Sequence, residues 1–102
     1  MGRGRLMEKY DHELKCWPYY FILVIQGRKP FEIRINDRNY KCGQRVLLRE
    51  YYPELDDYSG NTFSFRISYV LKNHVGLKKG FCILGIGLDK RGANESNLTK
   101  NS

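Results

Sequence analysis

The chain of 102 residues is long enough for one domain and too short for two. It carries 18 Lys and Arg against 11 Asp and Glu, a formal net charge of +7, and 41% of its residues are hydrophobic. This composition excludes a wholly disordered chain, and the longest apolar run, Tyr19–Ile25, is too short to cross a bilayer.

The predicted elements begin with a strand and a helix. Residues Tyr10–Cys16 alternate in polarity as a short strand does. Pro18 suits a first helical position and Gly27 a left-handed position after a helix, so this punctuation favours a helix over Pro18–Gln26. The strand-forming composition of Tyr19–Ile25 also fits a buried strand.

Further strands follow the helix. The clearest alternation puts Phe63, Phe65, Ile67, Tyr69 and Leu71 on one face of a strand. Pro53–Gly60 has the Pro, Asp and Gly content of a loop. The predicted later strands cover Phe31–Asn36, Gln44–Tyr52, Asn61–Leu71 and Phe81–Ile86.

These elements predict a single α+β, mostly-β domain of about five to six strands, with one main helix after the first strand. Because no strand–helix alternation repeats, a doubly wound parallel sheet is disfavoured, and short one-sided strands favour a small curled sheet or barrel. We expect the domain to span residues 10–86. Residues 1–9 form a basic end and residues 87–102 a Gly-, Asn- and Ser-rich tail, and neither has apolar periodicity, so both are expected to be disordered.

The cysteines and histidines do not suggest a metal site. Cys16, Cys42 and Cys82 form no Cys-x-x-Cys pair, and His12 and His74 lack neighbours at ligand spacing. We expect reduced thiols in a cytoplasmic protein with no metal, no cofactor and no membrane partner. The excess of basic residues attracts phosphate groups, although it serves solubility equally well.

Three charged residues flank or lie within the strand Phe31–Asn36. Strand parity puts Glu32 and Arg34 on one face, roughly 7 Å apart at the backbone, and Lys29 precedes the strand. An Arg fork suits phosphate or carboxylate, and a Glu accepts amino hydrogens such as those of cytosine. A Lys supplies a point charge, or a base if burial lowers its pKa. An exposed, ion-paired strand face is the alternative.

Two further pairs are candidates for ligand contacts. Lys15 and Trp17 share a parity, so a base could stack on the aromatic ring beside the cation; Trp17 as a core anchor is the alternative. Asp37 and Arg38 lie in a predicted turn, where an Asx-turn with a solvated Arg is the alternative. The candidate binding set is Lys15, Trp17, Lys29, Glu32, Arg34, Asp37 and Arg38, with Lys29 and Glu32 as catalytic candidates if the protein is an enzyme.

An ordered set of motifs resembles the ASCH domains of the PUA-like superfamily, in particular a small uncharacterised branch from bacteria and their phages. The resemblance covers about residues 10–86. Its motifs are His12-x-Leu14-Lys15, Gly27-x-Lys29-x-x-Glu32-x-Arg34, Asp37-Arg38-x-Tyr40-x-x-Gly43 and Gly80-Phe-x-x-Leu-Gly-Ile86.

The resemblance implies a PUA-like pseudo-barrel with a cleft beside its first helix, and a role in binding RNA or nucleotides. Some ASCH members hydrolyse the acetyl amide of acetylcytidine, with the motif Lys as a catalytic residue and a Thr three residues later. Lys29 matches that Lys, whereas Glu32 stands at the Thr position, and a later catalytic Glu has no match here. This departure weighs against hydrolysis and leaves ligand binding in place.

The sequence therefore supports one leading hypothesis and two alternatives. The leading hypothesis is a monomeric binding module for RNA or a nucleotide-like molecule. The first alternative is a small amidohydrolase acting on an acylated nucleoside. The second is a protein-interaction module that uses the aromatic residues Tyr51, Tyr52 and Tyr58, which are equally consistent with loop packing.

Overall fold

The computed structural model describes residues 9–90. Its elements form one five-stranded sheet, in the order β1-β3-β4-β5-β2, that curls into a half-barrel. This confirms the expected mostly-β fold with one short helix after the first strand. The elements are β1 (His12–Cys16), α1 (Pro18–Ile25), β2 (Phe31–Ile35), β3 (Arg45–Tyr52), β4 (Asp57–Lys72) and β5 (Phe81–Gly87).

The strands β1 and β2 form the two edges of this sheet. β1 pairs in parallel with β3, and β2 pairs antiparallel with β5, so neither edge is joined to the other by a ladder. Two arginines reach across the gap instead. Arg34 Nη1 donates to the carbonyl of Lys15, and Arg38 Nη1 donates to the carbonyl of Glu13, both at 3.0 Å. The half-barrel is therefore bridged by side chains along this seam.

The helix α1 begins and ends where the sequence punctuation predicts. Trp17 is extended, Pro18 opens the helix, and Gly27 takes a φ of 75° after the last turn. A left-handed φ is readily available only to a residue without Cβ, so Gly27 turns the chain toward β2. Phe21 and Val24 are buried against the sheet and anchor the helix there.

The core fills the concave side of the curled sheet. It is built from inward-facing residues of β1, β3, β4 and β5 together with Tyr40 and the buried side of α1. In β3, Val46 and Leu48 are fully buried, which is consistent with the central position of this strand. The remaining buried apolar residues are Leu14, Cys16, Phe21, Val24, Tyr40, Phe63, Phe65, Ile67, Cys82 and Leu84.

The alternation in β2 is inverted relative to an ordinary amphipathic strand. Its apolar residues Phe31, Ile33 and Ile35 are exposed, whereas the Glu32 side chain is buried. This parity places Glu32 and Arg34 on the same side as the core and the first turn of α1. The inversion is what brings charged groups into the interior of the fold.

The long strand β4 differs from its predicted pattern at both ends. It begins at Asp57, so the predicted loop Pro53–Gly60 is wrong in its second half: the reversal is completed by residue 56, and Tyr52 pairs directly with Asp57. The predicted common face is correct only as far as Ile67. A register shift between Ile67 and Tyr69 turns Tyr69 outward and lets Val70 pack against the core.

The predicted disordered segments require one correction. β5 extends to Gly87, and Asp89 is buried in an ion pair with Arg45, so the expected tail does not begin at residue 87. A lone Asp gives no periodic signal, which is why the sequence pattern stops too early. The expected disorder of residues 1–8 and 91–102 lies outside the described residues.

Candidate functional site

A cleft of about 640 Å³ opens between the first turn of α1 and the edge strands β1 and β2. β1 contributes Lys15, and the residue before the helix contributes Trp17. The loop before β2 contributes Lys29, and β2 itself contributes Glu32 and Arg34. Five of the seven predicted ligand-binding residues therefore line one cavity.

Glu32 lies at the centre of the charged part of the cleft. Lys29 Nζ is 3.2 Å from its Oε2, and Arg34 Nη1 is 3.4 Å from its Oε1. The Glu32 side chain is 5% exposed, against 16% for Lys29 and 25% for Arg34. The carboxylate thus forms the floor of the site, and the two cations stand between it and the solvent.

Backbone carbonyls hold both cations in place. Lys29 Nζ also donates to the carbonyl of Phe31 at 2.8 Å, and Arg34 donates across the seam to Lys15. An ammonium has three hydrogens and a guanidinium five, so each cation keeps donors for a ligand. The cleft therefore presents oriented donors beside a carboxylate acceptor.

The burial of this charged triad suggests a functional role. Removing a carboxylate from water is costly even when it is paired, and a buried ion pair is often no more stabilising than apolar packing would be. A few oriented polar groups in a largely apolar cleft are the usual means by which a binding site fixes a polar ligand. Two cations surround one carboxylate, so the triad carries a net positive charge.

Two exposed aromatic side chains also line the cleft. Trp17 is 55% exposed, so its alternative interpretation as a core anchor is wrong. Tyr20, one helical turn later, is also exposed, and Lys29 Nζ lies 5.5 Å from the centre of its ring. A planar ligand in the cleft would find both a stacking surface and hydrogen-bonding groups.

Cys16 packs beneath the triad with its Sγ 3.9 Å from Glu32 Oε2. Burial, followed by the negative charge of Glu32, raises the pKa of this thiol to about 12. Burial likewise raises the pKa of Cys82. Both residues are therefore neutral packing groups at physiological pH rather than nucleophiles.

Asp37 and Arg38 are not part of this cleft. They line a smaller cavity of about 120 Å³ along the same seam, together with Tyr40 and Arg34. Arg34 is common to both cavities. The turn after β2 thus places the last two predicted residues beside the main site rather than in it.

The ammonium of Lys15 contacts an aromatic ring of the β3–β4 hairpin. Its Nζ lies 4.3 Å from the ring centre of Tyr51, which contacts Tyr58 edge to face across the β3–β4 hairpin. Arg49 lies over the Tyr58 ring at 3.7 Å. These tyrosines are engaged in hairpin packing, and Lys15 reaches the cleft from its rim.

Sequence reasoning missed four residues of the cleft lining. Tyr20 had a usable signal, because it follows Trp17 by three residues and therefore lies on the same helical face. No sequence signal pointed to Ile33 or Phe81, since both resemble ordinary core residues of their strands. The missed lining residues are Cys16, Tyr20, Ile33 and Phe81.

Residues 9–90 contain neither a metal-ligand cluster nor a helix that could span a membrane. No group of three or more His, Cys, Asp or Glu is arranged to hold a metal ion in this part of the chain. His12 is instead hydrogen-bonded to the Gln44 side chain at 2.7 Å. The helix within the same residues lacks the length and apolar character needed to cross a membrane.

Comparison with known proteins gives a relative and a family. The chain is 37% identical over 59 residues to an uncharacterised 12.9 kDa protein in the GpA 3′ region of Escherichia phage P2. The match covers 58% of this chain and 52% of the phage protein, about half of that relative's length. The family model described as a domain of unknown function, DUF3850, matches residues 11–86, nearly the whole described fold. The chain therefore belongs to the DUF3850 family.

Proposed function

We propose that the cleft binds a nucleobase that carries an exocyclic amino group, either in RNA or in a nucleotide-like small molecule. The observation that carries the proposal is the buried Glu32 carboxylate, held between Lys29 and Arg34 at the floor of an aromatic-lined cleft. A carboxylate accepts hydrogens from an amino group, and the neighbouring cations donate to ring nitrogen or carbonyl acceptors.

The arrangement of donors and acceptors matches such an edge better than it matches a simple anion. A phosphate or carboxylate placed against the triad would be attracted by the two cations but repelled by the Glu32 carboxylate between them, and it has no hydrogen to donate to that acceptor. A base such as cytosine presents an amino donor next to acceptors, which complements a carboxylate next to cations. Exposed Trp17 and Tyr20 supply stacking surfaces, which bind bases with little dependence on sequence.

The resemblance to ASCH domains supports the same proposal. Lys29, Glu32 and Arg34 belong to the motif that carries the resemblance, and all three line the cleft. Membership of the PUA-like superfamily is part of the proposal. Under it, the curled sheet would be the pseudo-barrel of that superfamily, and the cleft beside α1 would be its ligand site.

Cytidine and uridine provide the sharpest test, because cytidine carries an amino group at C4 beside an N3 acceptor, whereas uridine carries a carbonyl at C4 beside an N3 hydrogen. We expect cytidine to bind at least about tenfold more tightly, since uridine would turn its C4 carbonyl toward Glu32 and its N3 hydrogen toward a cation. Isothermal titration and NMR chemical-shift mapping would measure affinity and location together. Shifts should concentrate at Trp17, Lys29 and Arg34.

Variants make the test specific to the carboxylate. Glu32→Gln keeps the shape of the side chain while adding a donor, and it should reduce the preference for cytidine to within about threefold. Glu54→Gln, at an exposed position in the β3–β4 turn, is the matched control and should keep it. Absence of binding by nucleosides and by short single-stranded RNA at millimolar concentration would reject the proposal.

Hydrolysis of an acylated cytidine is the second candidate. It is favoured by one observation, the 3.2 Å contact between Lys29 and Glu32 in the cleft, where the pair could exchange a proton with a reacting amide. Water would add to the acyl carbon, and the cytosine amino group would leave as the amide bond breaks. Release of the free acid from an N4-acylated cytidine, lost in Lys29→Met, would establish this activity, and inactivity of the wild type would exclude it.

A further inference from the structure

We infer that the small cavity beside the cleft, lined by Arg34 and Arg38, is the binding site for a phosphate group of the same ligand. The inference rests on the proposed function, because it takes the base to occupy the main cleft. It adds that the ligand is recognised as a nucleotide or as part of a nucleic acid chain, and not as a free base or nucleoside.

The size and position of the cavity fit a phosphate. Its volume of about 120 Å³ corresponds to about four water molecules in the liquid. It shares Arg34 with the main cleft, so one arginine borders both cavities. A nucleotide carries its phosphate one sugar away from its base, which is the relation that two adjoining cavities require.

The two arginines are oriented before any ligand arrives. Arg34 and Arg38 each donate one hydrogen bond of 3.0 Å to a carbonyl of β1, at Lys15 and Glu13 respectively. Each bond uses one of five guanidinium hydrogens and restricts the orientation of the group. Preorganised guanidinium forks bind phosphate oxygens in a bidentate manner more strongly than neutral donors do.

The charge around the cavity favours an anion, although one group opposes it. Besides Arg34 and Arg38, the titratable groups in the lining are the Asp37 carboxylate and the Tyr40 phenol. Burial raises the pKa of Tyr40, so the phenol stays neutral and keeps its hydrogen. Two cations thus face one carboxylate, and removing that carboxylate should strengthen anion binding.

The experiment compares cytidine, its 5′- and 3′-monophosphates, cytidylyl-cytidine and inorganic phosphate on the full chain by isothermal titration. We expect a phosphate-bearing ligand to bind about tenfold or more tightly than cytidine, with the gain shrinking as salt is raised. A gain in affinity with a monophosphate alone would indicate that the ligand is a free nucleotide. A gain in affinity with the internal diester of cytidylyl-cytidine would indicate that it is RNA.

Variants locate the gain in the small cavity. Arg38→Gln should remove most of the tenfold gain while changing cytidine affinity by less than about twofold, and Asp37→Asn should enlarge the gain. The matched control is Arg66→Gln, because Arg66 also donates to a backbone carbonyl, that of Gly43, but lines neither cavity. Thermal unfolding would confirm that each variant is folded.

The outcomes separate this inference from the proposed function. If cytidine binds in the cleft and a phosphate group does not increase its affinity, or if Arg38→Gln retains that increase, the phosphate-binding site is rejected and the base site stands. If neither cytidine nor its phosphates bind, the proposed function itself fails. Binding of inorganic phosphate with unchanged affinity in Arg38→Gln would also contradict the assignment of the small cavity, because it would place the anion elsewhere.

Discussion

At the scale of single residues, the three cysteines differ sharply in environment. Cys16 and Cys82 are buried, whereas Cys42 is exposed. Burial also raises the pKa of both buried thiols, and a thiol reagent attacks through the thiolate. The native protein should therefore offer one reactive sulfur.

Labelling with a chromogenic disulfide reagent at pH 8 should release one equivalent of chromophore rapidly from the native protein and three after denaturation. Cys42→Ala should abolish the rapid phase, because no other described thiol is exposed. Cys82→Ala, which removes a buried thiol, is the control and should keep it. Two or three rapid equivalents from the native wild type would contradict the burial of Cys16 and Cys82.

The raised pKa of Cys16 also predicts a pH dependence of stability. The thiol ionises near its ordinary value of 9.0 in the unfolded chain and near 12 in the folded protein. Below pH 9 both states are protonated, and above it the unfolded state loses protons that the folded state retains. The free energy of unfolding should therefore fall as pH rises from about 9 toward 12.

Urea unfolding at a series of pH values between 8 and about 11 would measure this slope. Cys16→Ala should make the decline shallower, although Tyr40 and Cys82, whose pKa values are also raised, leave part of it. The exposed Cys42→Ala variant should retain the wild-type slope. An equally steep decline in Cys16→Ala would show that the buried thiol does not contribute.

Much of the candidate site could be predicted at this scale, but its interior position could not. Glu32 and Arg34 share a face by strand parity, and Lys29 lies just before the same strand, so their proximity is a local property. Which face of β2 turns inward is decided by distant elements, namely α1 and β1. A strand with Phe31 and Ile33 on one face ordinarily buries that face, and only the tertiary arrangement reverses it.

At the scale of elements, the register shift in β4 determines where close packing occurs. Ser68 is the additional residue between Ile67 and Tyr69, opposite the β5 segment that contains Gly85 and Gly87. A Cβ at Gly87 would lie 3.0 Å from the Arg66 carbonyl oxygen and 3.3 Å from Ser68 Cβ. A Cβ at Gly85 would meet chiefly the rotatable Ser68 hydroxyl.

We therefore expect Gly87→Ala to destabilise the fold by about 1–3 kcal/mol, because backbone must move to admit the methyl group. Gly85→Ala should destabilise the fold less, since the Ser68 hydroxyl, which would lie 2.5 Å from the new Cβ, can rotate away. Urea denaturation of the two variants, both Gly→Ala on the same strand, supplies the comparison. A larger loss in Gly85→Ala than in Gly87→Ala would contradict the described register.

The strands and the helix are largely predictable from the sequence, whereas the bulge in β4 leaves only a weak signal in it. Alternation over Phe63–Ile67 correctly predicts a buried face, because a regular strand repeats every two residues. Val70 lies out of phase with that alternation, and it packs against the core after the bulge. An out-of-phase apolar residue is thus a sequence signal for a bulge, although it does not identify the extra residue.

At the scale of the whole molecule, one buried ion pair ties the chain after β5 to the start of β3. Arg45 Nε and Nη2 donate to one oxygen of Asp89 at 3.1 and 3.0 Å, and Arg45 Nη1 donates to the carbonyl of Lys9. Burial alone would lower the pKa of Arg45, but the hydrogen bond and charge of Asp89 outweigh it and raise the pKa. No local pattern predicts this contact, because its partners are 44 residues apart.

Asp89→Asn should destabilise the protein by about 3–5 kcal/mol, because it leaves the buried Arg45 cation without a counter-charge. Glu13→Gln, which breaks the exposed pair with Arg49 at 3.7 Å, is the control and should change stability by less than about 1 kcal/mol. Urea denaturation measures both. Replacing Arg45 and Asp89 together with Met and Leu should recover much of the loss, because no unpaired charge remains. A loss in Asp89→Asn no larger than in Glu13→Gln would mean that the segment after β5 is not held in the folded domain.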